Sequence, residues 1–146
     1  MMNILNYRID KIVTKDFKLK ETNPNDDLRF SLSFQFKVSM EESAICCISE
    51  FQYSTGTEIV MGILLESYFK IANNGLNSLI NGNLLTIDPE TLQYLATIAV
   101  GTARGEIHAR CEMAGSPLQH MVLPPVDLTK IITAPSEFQM NPSALD

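Results

Sequence analysis

Two histidines and three cysteines are the residues here best suited to hold a metal or to act as nucleophiles. His108 and Cys111, three apart, can share one face of a helix; His120 and Cys47 would complete a set of four ligands. Closed zinc sites are built from paired ligands at short spacings, which this set does not reproduce. Solvated histidines and a packed thiol are the simpler reading. Cys46 and Cys47 are adjacent, so in a strand they point to opposite faces. An odd cysteine count does not make a disulfide framework, and reduced thiols in the cytoplasm are expected. A Gly-x-Ser-x-Gly elbow and a phosphate-cradling loop are both absent, the glycines being scattered among turns. No Ser or Cys is placed by the sequence beside a histidine base. Glu41 and Glu42 read as a solvated turn rather than an acid–base pair. The expectation is a protein that is not an enzyme and uses no metal and no cofactor.

What remains to act with is apolar surface. The chain has 7 Phe, 4 Tyr and 7 Met but no Trp. Methionine adapts to varied partners, which promiscuous binding sites exploit. With 146 residues there is room for one core. The net charge of −6, with no evident cluster of Lys and Arg, disfavours nucleic acid and anionic membrane surfaces. The longest apolar run, Ile59 to Leu65, lies between Glu58 and Glu66. It is far shorter than the ~20 residues that span a bilayer, so no membrane insertion is expected. Met1 to Asp10 contains no apolar core of a signal peptide, which points to the cytoplasm.

The elements that would present this surface are mostly strands. Val13, Phe17 and Leu19 fall on one side of a half-buried strand, and Asp16, Lys18 and Lys20 on the other. After the turn Thr22–Asp27, apolar side chains occupy every even position from Leu28 to Met40, with polar ones between. Strict alternation means one apolar and one wet face. A strand this long, at about 3.4 Å per residue, outreaches the cover of a chain with few helices, leaving apolar face for a ligand or another subunit. Ala44–Tyr53 and Thr57–Ile71 follow, the second apolar on both faces and hence central. Three strands joined by short turns make a meander, with the Val13–Lys20 strand as a fourth. Asp88–Pro89 starts a helix whose buried stripe would be Leu92, Leu95, Ala96, Ala99 and Ala103. Gly105 ends or interrupts it, and Ile107–Met113 continues as helix or turns to strand. Asp127 caps a short last helix. Residues 1–135 read as one domain and 136–146 as a flexible tail.

In this order the elements resemble the SecB-type export chaperones. Ile9–Phe17, with its Thr14-Lys15-Asp16, is similar to the family's first strand, and Ile63–Ile71 to its third sheet strand. Asp88-Pro89 with Leu92 resembles the opening of the main helix, and Thr102–Gly105 its close. Leu123–Leu128 is similar to the segment entering the last helix, so the resemblance spans about residues 9 to 132. It implies an α+β fold: a four-stranded antiparallel sheet with one long and one short helix on one face. It also implies a homo-oligomer, a dimer or a dimer of dimers. The implied function is an ATP-independent holdase for unfolded polypeptide clients, with the translocase motor ATPase as a further partner in protein export. A chaperone dedicated to a toxin–antitoxin pair, and a regulatory interaction protein without client binding, are the alternatives. Groove candidates are Leu32, Phe34, Phe36, Val38, Tyr68, Phe69, Tyr94, Leu118 and Met121, although Tyr68 and Phe69 cannot face the same side of a regular strand. Asp16, Leu64 and Glu66 match the motor-docking positions, away from the helices; Lys20 stands where an acidic docking residue is usual.

Overall fold

The computed structural model of the chain describes residues 5–21, 27–120 and 123–140, with side chains 119 and 120 left out. Four long strands, β1 (Tyr7–Leu19), β2 (Arg29–Ser39), β3 (Ala44–Ser54) and β4 (Ile59–Ile71), form one antiparallel sheet in the order β1-β4-β3-β2. The meander is as expected: β2, β3 and β4 are consecutive neighbours, and β1 closes on the far side of β4.

Register decides which side chains meet. Phe34 lies opposite Ser49 and Phe36 opposite Cys47. Cys47 in turn faces Ser67, and Phe51 faces Ile63. The even residues of β2 therefore share a face with the odd residues of β3 and β4. On that face Phe51, Ile63, Leu65 and Phe69 are fully buried. β1 breaks the simple pattern, because its register against β4 slips between Ile9 and Lys11 and again between Thr14 and Asp16. Each extra residue moves the following side chains to the other face. Val13 consequently pairs with Glu66 on the open side, and Thr14 pairs with Leu65 on the buried side beside Phe17, which faces Ile63. The expectation that Val13 shares a face with Phe17 is thereby corrected.

The helix α1 (Pro89–Met113) lies over β3 and β4. Asp88 caps it, its side chain accepting from the Thr91 N–H at 3.2 Å, with Pro89 in the first turn. Leu92, Leu95, Ala96, Ala99, Ala103, Ile107 and Cys111 form the buried stripe. Gly105 does not end the helix. A Cβ on Gly101 or Gly105 would meet nothing within 4 Å, so both face open space and cost only about 1 kcal/mol each in propensity. Burial of Ile107 and Cys111 on the other face carries the helix through. It stops at Gly115, whose φ of 64° suits glycine, with the Ser116 N–H donating to the Cys111 carbonyl at 3.0 Å. The two added turns are fastened to β1: Thr14 Oγ1 donates to Glu106 Oε2 at 2.7 Å, and the Arg110 guanidinium lies 5.1 Å from the Phe17 ring centre.

The short helix α2 (Leu128–Ile131), capped by Asp127, packs on α1. A small second sheet consists of β5 (Ile80–Asn81), β6 (Leu84–Ile87) and β7 (Ser136–Gln139), in the order β5-β6-β7. Residues 136–139, expected within a flexible tail, are thus a paired strand, and Phe138 packs against the core.

Candidate functional site

Among the described residues the long alternating strand is an edge strand, paired with β3 alone. Because α1 sits over β3 and β4, the apolar side of β2 is covered incompletely. Leu28, Phe30, Leu32, Phe34, Phe36, Val38 and Met40 all touch the core, yet each stays partly exposed. Phe34 meets buried Phe51 edge-on, with ring centres 6.0 Å apart, so the row rests on a firm floor. Along its outer side an edge strand also presents unpaired backbone donors and acceptors. The site therefore offers an apolar strip beside a free hydrogen-bonding edge, with no convergent acid, base or nucleophile.

Of the groove candidates, Leu32, Phe34, Phe36 and Val38 come together on this strip. The others do not join them. Phe69 is fully buried in the core, where its ring meets Tyr7 at 5.6 Å, and Tyr68 points to the opposite face beside Glu66. Leu118 is buried as well. Phe69 and Leu118 are therefore corrected to core residues and Tyr68 to the open face. Tyr94 stands exposed on α1, and Met121 lies outside the described residues. Leu28, Phe30 and Met40 were left out of the groove set, although the same period-two pattern carries them. Ile9 and Ile12, exposed on β1 at the other edge of the sheet, were hidden by the bulge.

On the open face of the sheet Asp16 lies directly opposite Leu64, with Glu66 next along β4, so these three do converge. Lys18 is 3.8 Å from Asp16 and Lys15 is 4.0 Å from Glu66. The Tyr68 hydroxyl donates to Glu66 Oε1 at 3.0 Å, and this bond to a carboxylate is the main cause pushing the phenol up to about 12.

The chain is similar to a SecB-like chaperone. That protein, from Mycobacterium tuberculosis, was solved in complex with a ChAD peptide from an antitoxin; identity is 14%, the TM-score is 0.46, and the match covers 82% of this chain and 90% of that one. No family model matches the chain, and no curated protein matches it. The SecB-like resemblance in the motifs implied a four-stranded antiparallel sheet with a long and a short helix, and the structure has that architecture.

In this arrangement the residues first considered for metal or nucleophilic chemistry are dispersed. His108 Nε2 lies 3.1 Å from Glu112 Oε2 on the exposed side of α1, while Cys111 is buried on the other side. The His120 side chain is outside the described set. Cys46 faces the open side of the sheet and Cys47 the core, as adjacent strand residues must. Burial raises all three thiols, Cys47 to about 12, which disfavours the reactive thiolate. Among the described residues no group of three or more His, Cys, Asp or Glu could hold a metal ion. No helix among them is long and apolar enough to cross a membrane.

Proposed function

We propose that the protein is an ATP-independent chaperone that holds non-native polypeptides along the apolar strip of β2. One observation carries this reading: the row from Leu28 to Met40 is apolar throughout, rests on the core, and is still partly exposed. An extended client segment laid beside it buries side chains that the subunit leaves half-covered. Fully burying a Leu or Phe contributes about 1.5–3 kcal/mol, so several half-contacts together offset part of the cost of ordering a floppy chain. The free edge of β2 adds backbone hydrogen bonds that do not depend on client sequence. Capture is then firm but unselective, and it withholds the client from aggregation by mass action. Exposed Ile9 and Ile12 on β1 support assembly of subunits through the opposite edge of the sheet, so that the protein works as a homo-oligomer.

The test is dilution of a chemically denatured aggregation-prone protein into buffer containing this chain at near-stoichiometric amounts and no nucleotide. Light scattering should be strongly suppressed. Unchanged aggregation would contradict the holdase reading.

A further inference from the structure

The strand that completes the small sheet is held there lightly. β7 runs antiparallel to β6, from Ser136 opposite Ile87 to Gln139 opposite Leu84, and the Met140 N–H donates to the Asn83 carbonyl at 2.7 Å. None of the residues from Ser136 to Met140 is fully buried; Phe138 and Met140 lie half-covered against the core. The strand beneath them differs, since Leu85 and Ile87 are 0% and 1% exposed. Thr133, Ala134 and Pro135, which lead from α2 into β7, are all exposed. Before them the chain is anchored on α1, where the Gln93 amide donates to the Ile132 carbonyl at 2.9 Å. β7 has 4 residues, against 11 to 13 in each strand of the main sheet, and its departure unravels no other element.

Hydrogen-bond phase defines what β6 receives. Asn83 bonds with Met140, and in an antiparallel ladder bonding pairs recur at every second residue. Leu85 with Phe138 and Ile87 with Ser136 are therefore bonding pairs, and Thr86 with Glu137 is a non-bonding one. Leu85 and Ile87 thus present a buried apolar side chain and a backbone edge at the same positions. A chain seated there needs apolar groups two residues apart, with polar residues between them turned to solvent. Ser136-Glu137-Phe138-Gln139-Met140 has that pattern. Pro89 opens α1 directly after Asp88, so the ladder ends there and its occupant stays short.

We propose that β7 is a displaceable strap over a second polypeptide-accepting edge, and that a non-native client segment with apolar residues two apart takes its place on β6. The segment that the chain itself seats there shows the chemistry of the occupant. With the strap in place the open edge is a minor state, and the apparent affinity for a client is lowered by the open fraction. Polar segments are turned away, while segments that alternate apolar and polar residues gain both the ladder and the apolar floor. β6 belongs to the second sheet and β2 to the first, so the two edges are distinct. The identity of the occupant as a client rests on the holdase reading; the acceptance of such a segment by β6 does not.

Thr86→Cys with Glu137→Cys tests the inference on the full chain. A non-bonding antiparallel pair brings its Cα atoms to about 4.5 Å, within reach of a disulfide, and the three native cysteines are buried. Fluorescence anisotropy follows a labelled Ser-Glu-Phe-Gln-Met peptide, with Ser-Phe-Met-Glu-Gln, of the same composition, as the control for spacing. The reduced variant should bind the first peptide about fivefold or more tightly than the second, and oxidation, which locks the strap, should abolish that binding. Phe138→Ser with Met140→Ser loosens the strap and should strengthen binding about fivefold over the unsubstituted chain, with circular dichroism confirming that the sheet is intact. If that variant unfolds, the oxidised and reduced pair decides by itself. Equal binding by the oxidised and reduced forms would overturn the inference, because the peptide would then sit elsewhere, on β2 for example. So would a disulfide that joins two chains, which would make β7 of a second copy the occupant. Peptide binding that the lock abolishes, in a protein that fails to suppress aggregation, would uphold the strap and sink the holdase reading alone.

Discussion

Ser49 and Ser67 lie on the buried face of the sheet with hydroxyls that have no hydrogen-bond partner among the described residues. An unpaired buried hydroxyl costs about 1–3 kcal/mol, whereas a methyl of similar shape costs nothing there. Ser49→Ala and Ser67→Ala should each leave stability unchanged or raise it by about 1 kcal/mol, as read from urea denaturation. A loss exceeding that would show that the hydroxyls are satisfied after all. Cys47, beside them, is held protonated by burial, its pKa moved from 9.0 to about 12. The unfolded chain releases this proton first, so between those values the folded state binds more protons and stability must fall as pH rises. Denaturation midpoints should therefore decline from pH 9 upward, and a Cys47→Ala variant should decline less steeply.

At the scale of elements, the two added turns of α1 are secured to β1 by Thr14 and Glu106. Thr14→Val keeps the shape and removes the donor, and should cost about 1–2 kcal/mol in the same denaturation measurement. Gly101→Ala faces open space and should gain about 1 kcal/mol from helix propensity. What the sequence reveals at this level depends on how regular each element is. The alternation of Leu28 to Met40 placed β2 correctly because nothing interrupts its period, and Asp88–Pro89 marked the start of α1 by its own capping chemistry. In β1 the same logic misplaced Val13, since bulges at Asp10 and Lys15 leave no signature in residue type. Gly105 left two continuations open, and the helix runs on because its neighbours' burial, a tertiary fact, outweighs a small local penalty. β5, β6 and β7 are too short to show a period, and β7 is recruited from far along the chain. Of the groove candidates, the four on β2 were legible from alternation, while Phe69 and Leu118 were chosen by residue type, which does not distinguish core from surface.

At the scale of the whole molecule one asymmetry stands out: the long helix covers the middle of a wide sheet and leaves the apolar side of the β2 edge partly exposed. If the strip holds clients, substituting its outer side chains should weaken holding in proportion to the apolar area removed. Leu32→Ser with Phe36→Ser should reduce aggregation suppression several-fold, with circular dichroism confirming that the sheet survives. Hydrogen–deuterium exchange of the protein with and without a permanently unfolded client, in the absence of nucleotide, reads the site of holding most directly. The account predicts that the client adds protection along residues 29–39, on the outward-facing amides of β2, and leaves the interior of α1 unchanged. Protection confined to other segments, with β2 exchanging as fast as in the free protein, would contradict it.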